Sequence, residues 1–193
     1  MPWEKSFDEE TALEKAMQVF WDKGYESASI ADLIEGTGLN RGSLYNAFGG
    51  KRDLFLKTLT KYDRETRQAW LAELEALDDP RQALSRFFDG VVEQTIADPD
   101  HKGCFLVNTS LEFPAHDEEV RQFVAKGLRE LEGFFRRCIE VGQARGEIRA
   151  TLEPQVGAKT LVALLVGIRV LGRGVGDEST LQAVADEAKR LID

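Results

Sequence analysis

The segment SIADLIEGTGLNRGSLYNAF, residues 29–48, contains two short helical patterns separated by a turn. Ser29 and Asn40 each stand directly before one of these patterns, where a side-chain oxygen is suited to accept hydrogen bonds from free helix amides. Gly36-Thr37-Gly38 interrupts the first pattern. The apolar residues recur at helical spacing, so each helix is predicted to bury one face. The segment therefore predicts a helix-turn-helix.

The second helix of this pair carries residues that suit the major groove of DNA. Arg41 is able to donate two hydrogen bonds to guanine, and Asn46 is able to pair with adenine. Ser43 and Tyr45 occupy further polar positions of this helix. Gly42 has no side chain, so the backbone can approach the duplex closely. These residues predict that the helix recognises DNA.

The remaining sequence is also predicted to be helical, without a convincing strand, repeat or low-complexity segment. A first helix is predicted to begin at a Ser6–Glu9 capping box and to end at Gly24. The glycine-rich segment 172–176 is expected to form a hinge before the last helix. The other predicted helices cover residues 51–77, 82–97, 104–113, 117–144, 154–171 and 178–192. The predicted fold class is all-α, with about nine helices.

Length and composition are those of a soluble globular protein. The chain has 193 residues, of which 42% are hydrophobic and 31% charged, so it can bury a core without disulfides or metals. Its most apolar run, Leu161–Leu171, contains Arg169 and is shorter than the roughly 18–20 residues that span a bilayer. The N-terminus lacks the basic start and apolar run of a signal peptide. We therefore expect a cytoplasmic protein without a membrane partner.

The charge is distributed unevenly, although the formal net charge is −9. Residues 1–38 contain three basic and nine acidic residues. Residues 39–67 contain seven basic and three acidic residues. A local positive excess suits the phosphate backbone of DNA, although a solvated helix face gives the same pattern. We expect the positive surface to be centred on residues 41–51.

The spacing of these residues resembles a known family. Residues 31–54 follow the pattern AxxxxxxGxxRGSLYxxFxxKxxL, and Phe20-x-x-x-Gly24-Tyr25 precedes it. This pattern looks like the DNA-binding domain of the tetracycline-repressor (TetR) family. The resemblance is strong over about residues 13–55 and lies mainly in helix number and length beyond them. It implies a helix-turn-helix domain over 1–50 and a helical effector-binding and dimerisation domain over 51–193, with the helix over 51–77 as connector.

The resemblance implies specific contacts with double-stranded operator DNA. Arg41 and Asn46 would read bases, whereas Tyr45 and Lys51 would hold phosphates. Ser29 would bind a phosphate through its hydroxyl and the free amides of a helix start. One departure is Ala47-Phe48-Gly49-Gly50, where the family usually has a bulkier polar residue before the Phe and a less flexible turn after it. The predicted DNA contacts are Ser29, Asn40, Arg41, Gly42, Ser43, Tyr45, Asn46 and Lys51.

The resemblance also implies a pocket for a small-molecule effector among the later helices. Ligand sites in helix bundles are mostly apolar with a few polar anchors, and these helices are rich in aromatic residues. The same aromatic residues also suit an ordinary core. No cofactor and no metal site is predicted. The predicted ligand contacts are Phe88, Cys104, Phe105, Asn108, Glu112, Phe134 and Arg169, with Gln94 and Thr109 as further polar anchors.

Two cysteines are too few for a disulfide framework and have no metal-ligand spacing. The segment 103–108 resembles the start of the sixth helix in a TetR branch in which some members sense electrophiles or oxidants. Cys104 stands near a predicted helix start, where the helix dipole favours the thiolate, and His101 and Lys102 would add to this effect. The alternative is a small core residue, the usual state of a free cysteine. Cys138 is predicted to be such a core residue.

The last two helices predict a homodimer interface. One apolar stripe can pack inward while the other packs against a second copy of the chain. Two copies would present two recognition helices to a pseudo-palindromic operator. The first stripe contains Leu161, Leu164, Leu165, Ile168 and Leu171, and the second contains Val162, Val166 and Val170.

Two other classes of function compete with a DNA-binding repressor. An enzyme is disfavoured, because the sequence has no nucleophile motif, phosphate loop or metal-ligand spacing. The acidic segment after His116 does not form a metal site, since adjacent residues do not share a helix face. The second alternative is a helical dimerisation or adaptor protein without DNA binding, which the salt dependence of DNA affinity would distinguish. We expect an effector or a cysteine modification to move the connector helix and change the spacing of the recognition helices.

Overall fold

A computed structural model describes residues 7–112, 117–174 and 176–193. Within these ranges it has nine helices and no strand, which confirms the predicted all-α fold. Predictions that concern Ser6, Phe113 and His116 lie outside the described residues. The helices are α1 (Glu9–Lys23), α2 (Ile30–Thr37), α3 (Arg41–Phe48), α4 (Lys51–Tyr62, a π-helical segment Asp63–Gln68 and Ala69–Glu75), α5 (Pro80–Ile96), α6 (Phe105–Glu112), α7 (Glu118–Ala144), α8 (Pro154–Gly174) and α9 (Glu178–Ile192).

Helices α1 to α3 and the first part of α4 pack around one apolar cluster. Phe20 of α1, Leu33 of α2, Leu44 of α3 and Phe55 of α4 are almost completely buried in it. The rings of Phe20 and Phe55 meet edge to face, with centroids 5.0 Å apart, which is a favoured aromatic arrangement. The predicted amphipathic faces of the helix-turn-helix therefore form a common core.

A second apolar cluster joins α5, α7, α8 and α9. Phe87 and Phe135 meet edge to face with centroids 4.9 Å apart at its centre. On α8, Leu161 and Ile168 are fully buried in the cluster, whereas Val170 is exposed. Of the predicted inward stripe, Leu161, Leu165 and Ile168 are buried, whereas Leu164 and Leu171 are half-buried against the same cluster.

Three of the helix boundaries that differ from the predicted ones have a local physical reason. Helix α1 begins after Asp8, whose carboxylate accepts hydrogen bonds from the first free amides, instead of at the predicted upstream capping box. Helix α5 includes Pro80 as its first residue, because Asp79 caps the turn and proline has no amide hydrogen to leave unpaired. Helix α8 continues through Gly172 instead of ending in a hinge, since Gly172 lets α8 approach Thr95 of α5 closely.

Helix α4 is continuous but irregular, because its middle segment Asp63–Gln68 is a π-helix. Asp63 and Arg67 are both largely buried there, and Arg67 Nη2 donates to Asp63 at 2.9 Å. Arg67 also pairs with Glu130 of α7. Single π turns occur mostly at functional sites, and this one depends on a partner that is distant in sequence.

Helix α6 connects the two apolar clusters. Its residues Phe105 and Leu106 belong to the cluster of the N-terminal helices, although they follow α5 in the sequence. Trp21 of α1 stacks on Phe105 with centroids 5.5 Å apart, and its indole nitrogen donates to the Lys102 carbonyl at 3.1 Å. A displacement of α6 would therefore act directly on α1. The division of the chain at residue 50 stays a prediction.

Helix α8 is long and apolar enough to cross a membrane by length and composition alone. The predicted apolar run Leu161–Leu171 is shorter than this helix. A core helix of a soluble protein has the same composition, and one face of α8 packs against α7 and α9. The composition of α8 is therefore weak support for a membrane span.

Candidate DNA-binding surface and effector cavity

The turn between α2 and α3 depends on one left-handed glycine and on hydrogen bonds of two side chains, Thr37 and Asn40. Gly38 has φ 74° and ψ 10°, a conformation in which a side chain would be strained. The Thr37 hydroxyl donates to a carbonyl of the preceding turn at 2.6 Å and accepts from the Leu39 amide at 3.3 Å. Asn40 then caps α3 by accepting a hydrogen bond from the Ser43 amide at 2.8 Å. These contacts fix the direction of α3 relative to α2.

Helix α3 exposes a face that consists of Arg41, Gly42, Tyr45 and Asn46. Tyr45 is 42% exposed, and the Arg41 guanidinium carbon lies 5.9 Å from the centroid of its ring. This distance allows a cation–π attraction that holds the two side chains side by side. Ser43 is only 8% exposed and belongs to the inner face, which corrects the prediction that its hydroxyl contacts DNA.

Ser29 does not offer the free donors that were predicted to bind a phosphate. Its hydroxyl and its amide both donate to the Asp32 carboxylate, at 2.7 and 2.8 Å. Lys23 pairs with the same carboxylate at 2.5 Å, and hydrogen bonds from Lys23 and Ser29 lower the pKa of Asp32. A capping box thus occupies the donors, and the charge of Asp32 would repel a phosphate. Ser29 is a helix cap in this structure.

Lys51 begins α4 and lies beside the connection between α1 and α2. Its ammonium group is 4.5 Å from the centroid of the Tyr25 ring and donates to the Glu26 carbonyl at 3.3 Å. Gly49, with φ 85°, makes the preceding turn, and a Cβ at this position would lie 2.6 Å from an Asp53 oxygen. The glycine that departs from the family pattern is therefore required by the local geometry.

Most basic residues of α4 are neutralised by carboxylates of the same chain. Lys61 is 4% exposed and pairs with Glu10 of α1 and with Glu65, the latter at 2.7 Å. Hydrogen bonds to Glu10 and Glu65 raise the pKa of Lys61, so it stays charged. Similar ion pairs involve Arg52, Arg64 and Arg67. The positive surface is therefore narrower than the sequence count over residues 39–67 indicates.

Three basic residues near α3 have no ion-pair partner in the described part of the chain, namely Arg41, Lys51 and Lys57. Lys57 donates to the Ala47 carbonyl at 3.2 Å and lies 5.3 Å from the centroid of the Phe48 ring. Its ammonium group is thus held at the C-terminal end of α3. The sequence shows Lys57 only as one of several basic residues, and the fold brings it to the recognition helix.

A bidentate ion pair links the start of α4 to the start of α7. Arg52 Nε and Nη2 donate to the two Asp117 oxygens at 2.6 and 2.9 Å, and Nη2 also donates to Glu119 at 2.8 Å. Asp117 also caps α7 by accepting from the Val120 amide, as its sequence position predicts. Hydrogen bonding from Arg52 lowers the pKa of Asp117. The pair connects the helix that begins with Lys51 to the effector domain.

A small cavity lies between α4, α5, α6, α7 and α8. Its volume is about 40 Å³, which holds about three water molecules at roughly 10–15 Å³ each. The cavity brings together Gln94, Cys104 and Arg169, which were predicted as ligand contacts. Its apolar wall includes Trp70, Phe87, Leu106, Leu131 and Leu165.

The polar wall of the cavity is organised by two groups of hydrogen bonds. The Tyr62 hydroxyl donates to Cys104 Sγ at 3.5 Å. Burial, together with the neighbouring thiol, raises the pKa of Tyr62 well above its ordinary value, so the hydroxyl keeps its proton. Arg169 donates to the Thr95 hydroxyl at 3.2 Å and to the Gln94 side-chain oxygen at 2.8 Å.

The residues next to Cys104 do not assist it as predicted. Lys102 is directed toward α1, where it pairs with Asp22 at 2.9 Å. His101 is exposed and is not part of the cavity wall. Cys138 is buried in the second apolar cluster, and burial raises the pKa of its thiol to about 12. The prediction that Cys138 is a core residue is confirmed.

Two predicted aromatic ligand contacts, Phe88 and Phe134, are buried in the core and do not line this cavity, although Phe134 lines a separate groove beside Leu74 and Arg137. Each is 1% exposed, and their rings lie 5.9 and 5.6 Å from the ring of Phe135. Phe87, the neighbour of Phe88, reaches the cavity. One step along a helix rotates a side chain by about 100°, and the sequence pattern does not resolve which of two adjacent rings faces the cavity.

Three other predicted ligand contacts, Phe105, Asn108 and Glu112, lie where α6 meets the DNA-binding helices and α8. The Asn108 side-chain amide donates to the Lys102 carbonyl at 2.6 Å. Glu112 pairs with Arg173 of α8 at 3.0 Å. These residues hold α6 in place and, with Thr109, line a second and smaller cavity of about 10 Å³ beside the DNA-binding helices. Their role as ligand contacts stays a prediction.

Four of the cavity residues that sequence reasoning missed come from α4. Tyr62, Thr66, Arg67 and Trp70 all line the cavity, although α4 was predicted only as a connector. Their spacing is a usable signal, because residues 62, 66 and 70 are four apart and share one face of a helix.

Two family models match this chain. The model for "Bacterial regulatory proteins, tetR family" matches residues 12–58. The model for "Tetracyclin repressor-like, C-terminal domain" matches residues 80–188. The two matches cover the helix-turn-helix and most of the helices around the cavity.

Individual relatives match nearly the whole chain. The transcriptional repressor ComR from Escherichia coli (strain K12) is 28% identical over 188 residues, which cover 97% of this chain and 90% of ComR. The regulator YezE from Bacillus subtilis (strain 168) is 28% identical over 191 residues, 98% of each chain. A solved structure of a cysteine mutant of the regulator CifR with 26-base-pair operator DNA has a TM-score of 0.86 and 30% identity, covering 97% of this chain and 98% of CifR.

Proposed function

Since this chain belongs to the tetracycline-repressor family of bacterial regulators, we propose that it represses transcription by binding a pseudo-palindromic operator as a homodimer. The observation that carries this proposal is the exposed face of α3, where Arg41, Tyr45 and Asn46 stand together. Regulators of this family are generally not enzymes, and we propose no catalytic activity for this one. We also propose that it works in the cytoplasm.

The proposed contacts with DNA divide into two kinds. Arg41 and Asn46 read base edges in the major groove, because their side chains match the donor and acceptor patterns of guanine and adenine. Tyr45, Lys51 and Lys57 hold the phosphates on either side and set the position of α3. Support for this division comes from exposure and from the lack of carboxylate partners for these cations among the described residues.

The DNA-binding proposal is tested with operator fragments selected from a random duplex library. Affinity is measured by fluorescence anisotropy of the labelled duplex between 50 and 300 mM KCl. We expect the logarithm of the association constant to fall linearly with the logarithm of salt concentration, because phosphate contacts release counterions. A protein that selects no duplex at 50 mM KCl would instead be the helical adaptor.

We propose that the dimer forms through the outer faces of α8 and α9. Val170 is 41% exposed in the single chain, and Val162 and Val166 lie half-buried on the same side of α8. An apolar face of this kind is suited to pack against its own copy. Val170→Asp is expected to yield a monomer in analytical ultracentrifugation. Val141→Asp is the matched control, because Val141 is equally exposed but lies on α7.

Release from DNA is proposed to begin at the cavity. With room for about three waters, the cavity must widen to admit a ligand, and its walls include α4, which leads to Lys51. A ligand shifts the protein only if it binds the DNA-incompetent arrangement more tightly. We therefore propose that one conformation of the protein, the one that does not bind DNA, has both a widened cavity and an altered spacing of the recognition helices.

Covalent modification of Cys104 is the second proposed route to this state. The thiolate adds to the double bond of N-ethylmaleimide, so an S–C bond forms and the neighbouring carbon takes up a proton. The adduct would fill the cavity beside Tyr62, whose hydroxyl now lies 3.5 Å from the sulfur. Treated protein is expected to release operator DNA, and Cys104→Ser is expected to retain it. Cys138→Ser is the control, and an unchanged response of Cys104→Ser would exclude this route.

A further inference from the structure

A buried arginine in the cavity wall has a donor without a partner. Arg67 is 9% exposed, and its Nε and Nη2 groups donate to Asp63 and Glu130. Its Nη1 group is buried and has no hydrogen-bond partner in the described part of the chain. Buried donors are almost always paired in folded proteins, so an unpaired one in a cavity wall indicates a missing acceptor.

The same cavity contains a second arginine that is not neutralised by an acid. Arg169 donates only to neutral oxygens, those of Thr95 and Gln94, within the residues that the structure describes. Arg67 and Arg169 are the two charged residues of the cavity wall, and no carboxylate residue lines it. The cavity wall therefore presents two guanidinium groups, of which that of Arg169 has no acid partner in the described part of the chain and that of Arg67 keeps one free donor.

The rest of the wall favours an apolar body for the ligand. Trp70 stacks on Phe87 with centroids 4.8 Å apart, and both rings face the cavity with Leu131 and Leu165. The lining therefore divides into these apolar residues and the polar ones, namely Tyr62, Thr66, Arg67, Gln94, Cys104 and Arg169. A ligand with one negative end and one apolar end matches this division.

We infer that the cavity binds a small apolar carboxylate, whose carboxylate group accepts hydrogen bonds from Arg67 Nη1 and the Arg169 guanidinium. Arginine binds carboxylates through charge-assisted and often paired hydrogen bonds, which are stronger than bonds between neutral groups. This inference rests on the proposal that the cavity is the effector site. It names the chemical class of the effector.

The position of Arg67 also indicates how such a ligand acts on DNA binding. Arg67 lies in the π-helical segment of α4, where it is held by Asp63, while Gln68 donates to the same Asp63 carboxylate at 2.7 Å. A ligand carboxylate bound to Nη1 draws the Arg67 guanidinium toward the cavity and away from Asp63. This displacement weakens the bonds that hold the π turn, and α4 carries Lys51 and Arg52 at its other end.

The inference is tested by isothermal titration calorimetry on the DNA-free protein. The probes are benzoate, phenylacetate, hexanoate and octanoate, each compared with the carboxamide of the same carbon skeleton. We expect at least one carboxylate to bind with saturation and at least about tenfold more tightly than its carboxamide, as a charge-assisted contact requires. Carboxamides that bind as tightly as the carboxylates, or no saturable binding by any member, would overturn the inference.

Two variants then assign the contact to the two arginines. Arg169→Gln is expected to lower carboxylate affinity about tenfold while carboxamide affinity changes little. Since removal of Arg67 alone would leave Asp63 buried and unpaired, Arg67 is tested as the neutral pair Asp63→Asn/Arg67→Gln, whose folding is checked by thermal melting. If both variants keep the wild-type preference for carboxylates, the assignment is wrong.

The proposal of DNA binding and the inference of a carboxylate effector can each fail without the other. Operator affinity measured without any carboxylate tests DNA binding alone, and calorimetry without DNA tests the ligand class alone. A carboxylate that binds should also lower operator affinity, whereas its carboxamide should do so only at concentrations about tenfold higher. Carboxylate binding without any change in operator affinity would retain the site and exclude it as the effector switch.

Discussion

The two halves of α4 hold their cations in opposite ways. At its start, Lys51 rests against an aromatic ring and a backbone carbonyl. In its middle, Arg67 is enclosed with two carboxylates, Asp63 and Glu130. A cation without an acid partner is free to bind a phosphate. A buried and paired cation stabilises the fold and is not available to DNA. The local pairing of each cation, more than the number of basic residues, decides which part of α4 contacts DNA.

The largest effect is expected where the buried pair is broken. Asp63→Ala leaves Arg67 charged and buried with only Glu130 as its acid partner. Removal of one member of a buried pair destabilises a protein by about 3–5 kcal/mol. We expect a loss of this size in the free energy of unfolding, measured by urea denaturation with circular dichroism.

The matched control is an acid of the same helix at the surface. Glu65 is exposed and pairs with Lys61, which keeps Glu10 and Glu14 as partners. Glu65→Ala is expected to lower the free energy of unfolding by less than about 1 kcal/mol, because Glu65 is exposed and Lys61 keeps two other acid partners. Equal losses for the two variants would remove the distinction between a buried and an exposed acid partner of the α4 cations.

The next effect concerns DNA affinity and leaves stability unchanged. Arg41 is exposed on α3, and Arg41→Ala removes the proposed contact with guanine. One bidentate base contact contributes about 1–3 kcal/mol of discrimination, so operator affinity should fall about 5- to 150-fold. Anisotropy titrations with the selected operator and with single-base variants measure both the affinity and the loss of preference at one position.

Arg86→Ala is the control for this measurement, because Arg86 is exposed on α5 in the effector domain. It should leave both operator affinity and the free energy of unfolding unchanged. If Arg41→Ala changes the urea midpoint as much as the operator affinity, then Arg41 stabilises the fold and the proposed role of the α3 face is wrong.

The contrast within α4 also explains what the sequence could predict. Helix caps, the glycine turn and the exposed face of α3 depend on residues within a few positions of each other, and local patterns predicted most of them. Lys61 and Arg67 depend on Glu10 and Glu130, which are 51 and 63 positions away. No local pattern contains that information, so the sequence placed these buried cations in the positive surface.

Ser29 marks a different limit of sequence reasoning. A serine before a helix suits both a capping box and a phosphate site, because both uses need the same hydroxyl and the same free amides. The choice is made by Asp32, three positions later, which takes up both donors. The cavity residues of α4 were missed for a different reason, because the sequence predicted α4 only as a connector between the two domains.

A smaller effect should distinguish a phosphate contact from a base contact. Lys51→Gln removes one charge at the start of α4 but retains a side chain of similar length. The slope of the logarithm of affinity against the logarithm of salt concentration should decrease in magnitude by about 0.9, the value for one phosphate contact on duplex DNA. Base preference should stay unchanged. Glu26→Gln, beside Lys51 on the chain surface, is the control for a general change in net charge.

The smallest effect concerns Arg52. Its side chain is 42% exposed, like that of a cation available to DNA, and yet it is paired with Asp117. Arg52 lowers the pKa of Asp117 in the folded protein. The pair therefore stabilises the fold fully above the ordinary carboxyl pKa of about 3.9, and this contribution disappears as the pH falls through the lower folded value. Asp117→Asn retains the helix cap, since asparagine caps as well as aspartate, but it loses the charge.

Urea midpoints of the wild type and Asp117→Asn should therefore differ at pH 7 and converge as the pH approaches 2. The difference at pH 7 should be small, because the exposure of the Arg52 side chain limits the strength of the pair. Equal midpoints at pH 7 would show that Asp117 acts through its cap alone, because asparagine retains that cap. Arg52 would then belong with Lys51, as a cation available to DNA, and not with the cations that hold α4 in the fold.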